Sequence, residues 1–221
     1  MAKQALIEQR PWLLASLASA TAFYFLSDNP IFEGTWGILA KGASVGLLAL
    51  YVLLRVPHNR HGLDGVLLVI VLLFGAAGDV AIELDFVTGG ALFAAGHCVA
   101  TVLYVRNPRA RHSPSQKLLS LALLVATPLV SYFLSGRVEV AIYAAFLGMM
   151  AASAWYSRFP RYRVGTGAVL FVVSDWLIFS RLGPIDLGAL PDLLIWPLYY
   201  GGQVMIATGI VQCLRGEQPV R

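Results

Sequence analysis

Long apolar runs follow one another along almost the whole chain, and short segments with charged residues, Pro and Gly separate them. A helix that crosses a membrane needs about 20 mostly apolar residues, and the runs are of this length. The pattern therefore predicts an all-α integral membrane bundle of about eight transmembrane helices in one domain, residues 1–221. The expected spans are 12–26, 35–54, 63–82, 87–105, 117–134, 138–157, 163–182 and 190–214.

The composition agrees with this pattern. Hydrophobic residues make up 58% of the chain and charged residues 13%, and the mean hydropathy is +0.72. These values lie well outside the range of soluble domains. Eight spans with short loops use nearly all of the 221 residues, which leaves no room for a soluble domain.

The distribution of basic residues predicts the orientation. Of the sixteen Lys and Arg residues, thirteen fall in the terminal segments and loops of one side, and the loops of the other side hold only Arg137 and Arg181. The positive-inside rule therefore places both termini in the cytoplasm. The net charge of +4 lies in short loops and not on one soluble face, so no nucleic-acid partner is expected. Short loops and the lack of a retrieval tail favour a bacterial inner (plasma) membrane.

Four ionisable residues inside the spans need an explanation, because each costs about 2.5–3.5 kcal/mol on insertion. They are Lys41, Asp79, His97 and Asp175. At 1.5 Å rise per residue, all four lie about 5–15 Å from the predicted outer face, in the same half of the membrane. Their shared depth predicts one polar cavity that opens toward the outer leaflet.

Other residues support this interpretation. Small residues precede both acids, Gly78 before Asp79 and Ser174 before Asp175, and small residues let neighbouring helices approach. Glu83 lies one turn after Asp79 on the same helix face. In the last span, Tyr200 and Gln203 reach a comparable depth.

Two structural alternatives remain open at this point. A buried Asp79 paired with Lys41 would hold two helices together. A neutral His97 hydrogen-bonded inside the bundle would also need no function.

The chemistry of such a cavity has two interpretations. Two carboxyl groups in a low-dielectric pocket, one protonated and one ionised beside Lys41, suit general acid and base catalysis. The same groups suit a proton-coupled transporter, and a non-catalytic lipid-binding protein is a third alternative. A His-Glu-x-x-His zinc motif is absent, which argues against a metal site.

An ordered set of motifs resembles the YhhN-like, or lysoplasmalogenase, family of membrane proteins. The set runs from the second span to the eighth and consists of Lys41, Gly78-Asp79, the run that ends at His97, Gly-Ala-x-Leu-Phe-x-x-Ser-Asp at 167–175, and Tyr199-x-x-x-Gln203. Two positions depart from the family pattern: Gly42 replaces the usual Pro after Lys41, and Ala100 replaces an aromatic residue one turn after His97.

The resemblance implies hydrolysis of the vinyl ether bond of lysoplasmalogens to a fatty aldehyde and a glycerophospho-alcohol. It implies a lysophospholipid substrate taken from the bilayer, no cofactor and no metal. It also implies that Asp79 and Asp175 are the catalytic pair. The expected supporting residues are Lys41 on the lipid phosphate or near an acid, His97, Tyr200 and Gln203 on water and the glycerol hydroxyl, and the neighbours Glu83 and Ser174.

Overall fold

The computed structural model describes residues 10–27, 29–30, 34–56 and 62–216. These residues form eight α-helices, which confirms the predicted all-α bundle. The helices are α1 Arg10–Leu26, α2 Thr35–Arg55, α3 Gly62–Ile82, α4 Phe86–Val105, α5 Pro114–Ser135, α6 Val138–Tyr156, α7 Thr166–Ser180 and α8 Leu190–Leu214. A π-helical turn, Arg161–Gly165, leads directly into α7.

The lengths and surfaces of the helices fit a lipid solvent. In the described ranges, seven helices, α2 to α8, are long and apolar enough to cross a membrane when the π-helical turn Arg161–Gly165 is counted with α7, and α1 has 17 residues. Large apolar side chains such as Phe25 and Phe133 are 73% and 72% exposed. A soluble monomer rarely exposes so much apolar surface, so the chain is a multi-pass integral membrane protein.

The predicted start of α5 at residue 117 was three residues late. The helix begins at Pro114 because Ser113 and Gln116 form a capping box. The Ser113 amide donates to Gln116 Oε1 at 2.9 Å, and the Gln116 amide donates to Ser113 Oγ at 3.3 Å. These bonds satisfy two amides that a helix N-terminus leaves without a partner. The helix ends at Gly136, whose φ of 67° suits glycine.

The helices group into two compact units, Met1–Gly96 and His97–Arg221, and the boundary lies within α4. In the first unit α2 packs against both α1 and α3. Hydroxyl groups of α1 attach it to α2, where Ser19 Oγ donates to the Ala40 carbonyl at 2.8 Å. In the second unit α5 packs against α6, and α7 packs against α5, α6 and α8. A single domain over 1–221 stays a prediction.

Glycines permit close helix approach in each unit. A Cβ at Gly42 of α2 would lie 2.5 Å from Val80 Cγ2 of α3. A Cβ at Gly202 of α8 would lie 2.6 Å from the Gly167 carbonyl oxygen of α7, and a Cβ at Gly167 would lie 2.7 Å from the Gly202 oxygen. The α7 and α8 backbones therefore touch at this crossing, as small residues permit in membrane bundles.

Arginine side chains connect two loops of the second unit. The α4–α5 loop meets the α6–α7 loop, where Arg158 Nε donates to Asn107 Oδ1 at 2.7 Å. Arg109 donates to the carbonyl oxygens of Ser157 at 3.3 Å and Phe159 at 3.1 Å. These bonds satisfy loop carbonyls that have no helical partner.

The α7–α8 crossing gives a stability prediction. Gly202→Ala should lower the free energy of unfolding by about 1–3 kcal/mol, because the new methyl group forces the two backbones apart. Unfolding in mixed micelles, followed by circular dichroism, measures this loss. Gly201→Ala is the matched control, since no atom lies within 4 Å of a Cβ at Gly201. Equal stability of the two variants would contradict the close approach.

Candidate active site

Asp175 is a carboxylate enclosed in the second unit. Asp175 lies in α7 and is 4% exposed. The Tyr143 hydroxyl, from α6, donates to Asp175 Oδ2 at 2.7 Å. Burial of a carboxylate without a partner is costly, so this hydrogen bond explains how the acid is tolerated within an apolar helix.

His97 extends this interaction to a third helix. Its Nε2 lies 3.1 Å from the Tyr143 hydroxyl oxygen, and the residue is 4% exposed. The Tyr143 hydroxyl has a single proton, which it donates to Asp175, so His97 Nε2–H donates to the Tyr143 oxygen. We call the residues His97, Tyr143 and Asp175 the polar chain. The structure therefore joins two of the predicted site residues, His97 and Asp175, through a tyrosine.

Aromatic rings surround the polar chain. Phe171 lies one turn before Asp175 on α7 and packs edge-to-face on His97, with the ring centroids 5.1 Å apart. Phe179 lies one turn after Asp175 and packs on Tyr143 at 5.8 Å. Water is displaced from such apolar contacts, and a low local dielectric strengthens the hydrogen bonds within.

Ser174 connects α7 to α8. Its Oγ donates to the Ile195 carbonyl at 2.8 Å, and the side chain is fully buried. The sequence predicted Ser174 as a supporting residue next to Asp175. Its contact supports the position of α7 and places no functional group of Ser174 on the polar chain.

The predicted pair Tyr200 and Gln203 lies buried on α8. The Tyr200 ring stacks on Trp196 at 5.8 Å. Gln203 Nε2 lies 3.5 Å from the hydroxyl oxygen of Tyr199. Tyr199 in turn packs edge-to-face on Phe171 at 5.0 Å. Tyr199 therefore connects Gln203 to Phe171, one of the rings that pack around the polar chain.

The remaining predicted residues lie in the first unit. Asp79 on α3 is 2% exposed. Lys41 Nζ of α2 lies 2.6 Å from Glu83 Oε1, and the two side chains are 15% and 41% exposed. A Cβ at Gly78 would lie 2.9 Å from the Phe93 ring. The helix α4 therefore approaches α3 closely beside Asp79, as expected from the small residue Gly78.

Asp85 is an acid with a structural role, the capping of a helix. It precedes α4, and its Oδ1 accepts the Thr88 amide at 2.7 Å and the Thr88 hydroxyl at 2.5 Å. These hydrogen bonds to the charged form lower the pKa of Asp85. Its carboxylate is occupied by the first turn of α4, so Asp85 is no catalytic candidate.

Sequence reasoning missed Tyr143. One signal could have found it: Tyr143 lies about 8 Å from the start of α6, and Asp175 lies about 8 Å from the end of α7, so the two share a depth. In the described ranges no group of three or more His, Cys, Asp or Glu residues is arranged to hold a metal ion.

Comparisons with known proteins identify the family. Neither the search of curated proteins nor the search of solved structures gave a match. The YhhN family model matches residues 36–210, which extend from α2 into α8 and include Lys41, Asp79, His97, Tyr143 and Asp175. This match covers most of the 221 residues, and the chain therefore belongs to the YhhN family.

Proposed function

We propose that this protein is a membrane lysoplasmalogenase, an ether hydrolase that cleaves the vinyl ether bond of lysoplasmalogens. The products are a fatty aldehyde and a glycerophospho-alcohol such as glycerophosphoethanolamine or glycerophosphocholine. One observation carries the proposal: in a member of the YhhN family, two aspartates within apolar helices are only 2% and 4% exposed. Intramembrane carboxylates are costly and mark functional sites.

The reaction needs an acid and a base and no redox chemistry. A carboxylic acid protonates the vinyl carbon that does not bear oxygen, which leaves an oxocarbenium ion. Water adds to this cation while a carboxylate accepts the proton that water loses. The resulting hemiacetal collapses when its hydroxyl proton moves to the glycerol oxygen, which leaves as the alcohol. A nearby carboxylate also stabilises the cation electrostatically.

We assign these roles to Asp79 and Asp175. The Tyr143 hydroxyl holds Asp175 by its Oδ2 atom, which leaves Oδ1 for the substrate. Lys41 binds the lipid phosphate, and its half-exposed partner Glu83 holds the ammonium group in place at 2.6 Å. His97, Tyr200 and Gln203 orient water and the glycerol hydroxyl, and Ser174 fixes α7.

The bilayer is the source of the substrate. A lysophospholipid has one chain, which can stay among lipid tails while the vinyl ether, next to the glycerol, reaches the carboxyl groups. We also propose that the protein lies in a bacterial inner membrane. Thirteen basic residues on one side favour an orientation with both termini in the cytoplasm.

The first test is aldehyde release from lysoplasmenylethanolamine by the detergent-purified protein. Asp79→Asn and Asp175→Asn should each lower kcat by at least about 100-fold, the usual contribution of a general acid or base. An aldehyde-linked NADH assay measures the rates.

Asp186→Asn is the matched control, because Asp186 lies in the exposed α7–α8 loop and accepts the Gly188 amide at 2.7 Å. This variant should keep the wild-type rate. A folded wild type that releases no aldehyde would refute the substrate assignment and favour the transporter.

The proposed phosphate contact gives a second prediction. Lys41→Gln should raise KM about tenfold, because one charge-assisted hydrogen bond of about 1.5 kcal/mol is lost. With alkenylglycerol, which has no phosphate, wild type and variant should have the same KM. The exposed Lys117 provides the control Lys117→Gln. A KM change that is equal for both substrates would show that Lys41 acts on the protein and not on phosphate.

The orientation can be tested with fusions at either end. Green fluorescent protein at the N-terminus or the C-terminus should fluoresce in bacterial cells, and alkaline phosphatase at either end should be inactive. The reason is that thirteen basic residues hold both ends on the cytoplasmic side. An active phosphatase at one end only would mean an odd number of spans.

A further inference from the structure

The proposed acid has little contact with bulk water. Asp175 is 4% exposed and has Phe171 and Phe179 on either side of it along α7. A general acid that gives its proton to carbon is left as a carboxylate. It has to regain a proton before the next molecule of substrate can react.

The proton balance of the reaction makes this step necessary. When the acid and the base are different residues, the proton from water ends on the base, and the acid stays ionised. Over a full cycle one proton must therefore travel back to the acid from the base or from bulk water. In an apolar interior such transfer needs groups that both donate and accept hydrogen bonds.

The polar chain supplies such groups in the correct direction. The Tyr143 hydroxyl donates to Asp175 Oδ2 at 2.7 Å. The oxygen of this hydroxyl accepts from His97 Nε2, which lies 3.1 Å away. In this arrangement the second ring nitrogen of neutral His97, Nδ1, carries no proton and is the basic atom.

We propose that His97 and Tyr143 are a proton relay that reloads Asp175, which makes Asp175 the general acid. The proposal rests on the proposed function, because the relay serves a residue that loses a proton in each turnover. A proton binds His97 Nδ1, the Nε2 proton moves to the Tyr143 oxygen, and the former Tyr143 proton moves to Asp175. All three side chains end neutral, which suits an apolar interior.

The surroundings fix the relay geometry. Phe171 packs on the His97 ring at 5.1 Å, and Phe179 packs on the Tyr143 ring at 5.8 Å. Edge-to-face contacts of this kind orient aromatic rings.

The relay resets when the imidazole turns and exchanges its proton, so that Nε2 again carries one. Tyr143 is therefore a positioning residue that acts through Asp175 and has no contact with the substrate in this scheme.

The test separates the first turnover from those that follow. Tyr143→Phe removes the hydroxyl and keeps the ring. After long incubation, Asp175 is loaded by slow exchange, so the first turnover should proceed within about twofold of wild type. Later turnovers should slow about 100-fold, the usual contribution of an assisted proton transfer. Rapid-quench measurements of aldehyde should show a burst of one product per enzyme.

Tyr104→Phe is the matched control. Tyr104 is a buried tyrosine of the same unit, and its ring packs on Phe159 at 6.2 Å, away from the polar chain. It should show the wild-type time course. His97→Gln provides a second test, because a glutamine amide can donate to Tyr143 but cannot pass a proton. Its later turnovers should be about 100-fold slower than its own first turnover.

The outcomes are distinct. A burst followed by a slow phase in both variants supports the relay. Equal slowing of the first and later turnovers would mean that Tyr143 only holds Asp175 in place, and an unchanged steady rate would mean that Asp175 exchanges protons by another route. Either result overturns the relay while the hydrolase stands. A wild type that releases no aldehyde refutes the proposed function and the relay together.

Discussion

Hydrocarbon offers no hydrogen bonds to a polar group, and this constraint governs both the fold and the candidate site. Hydroxyl groups within α5 meet it locally: Thr127 Oγ1 donates to the Leu123 carbonyl at 2.6 Å, and Ser131 does the same one turn later at 2.7 Å. A buried carboxylate only accepts hydrogen bonds and finds no donor in its own helix ladder. Asp175 therefore depends on another helix, and the Tyr143 hydroxyl meets that need.

The same constraint decides how much the sequence could predict. Spans were predicted within about three residues, because the bilayer thickness sets their length. The start of α5 differed because the Ser113 capping box extends the helix beyond the apolar run. Asp175 and His97 were identified because an ionisable group in lipid is costly. Tyr143 was missed because a tyrosine fits an apolar span or an interface without any function, and only helix packing reveals its partners.

The loop arginines have a role that charge counting does not show. By the positive-inside rule they predict which side is cytoplasmic, and Arg158 also donates to Asn107 at 2.7 Å. Asn107 follows α4, which carries His97, and Arg158 follows α6, which carries Tyr143. These two helices are thus joined near one end by the loop contact and deeper by the 3.1 Å contact of His97 with Tyr143. Two attachment points, about 15 Å apart along α4, fix the register of the two helices and so maintain the distance between His97 and Tyr143.

The two aspartates have different electrostatic surroundings, which suits different roles. Asp79 shares a face of α3 with Glu83, and two carboxylates one turn apart would repel each other. Lys41 lies 2.6 Å from Glu83 and offsets the charge of Glu83. Asp175 instead accepts from the neutral Tyr143 phenol, and Phe171 and Phe179 lie one turn to either side of it on α7. In the proposed hydrolysis we therefore assign to Asp79 the role of the carboxylate that receives the proton from water, and to Asp175 the role of the acid that the proposed relay reloads.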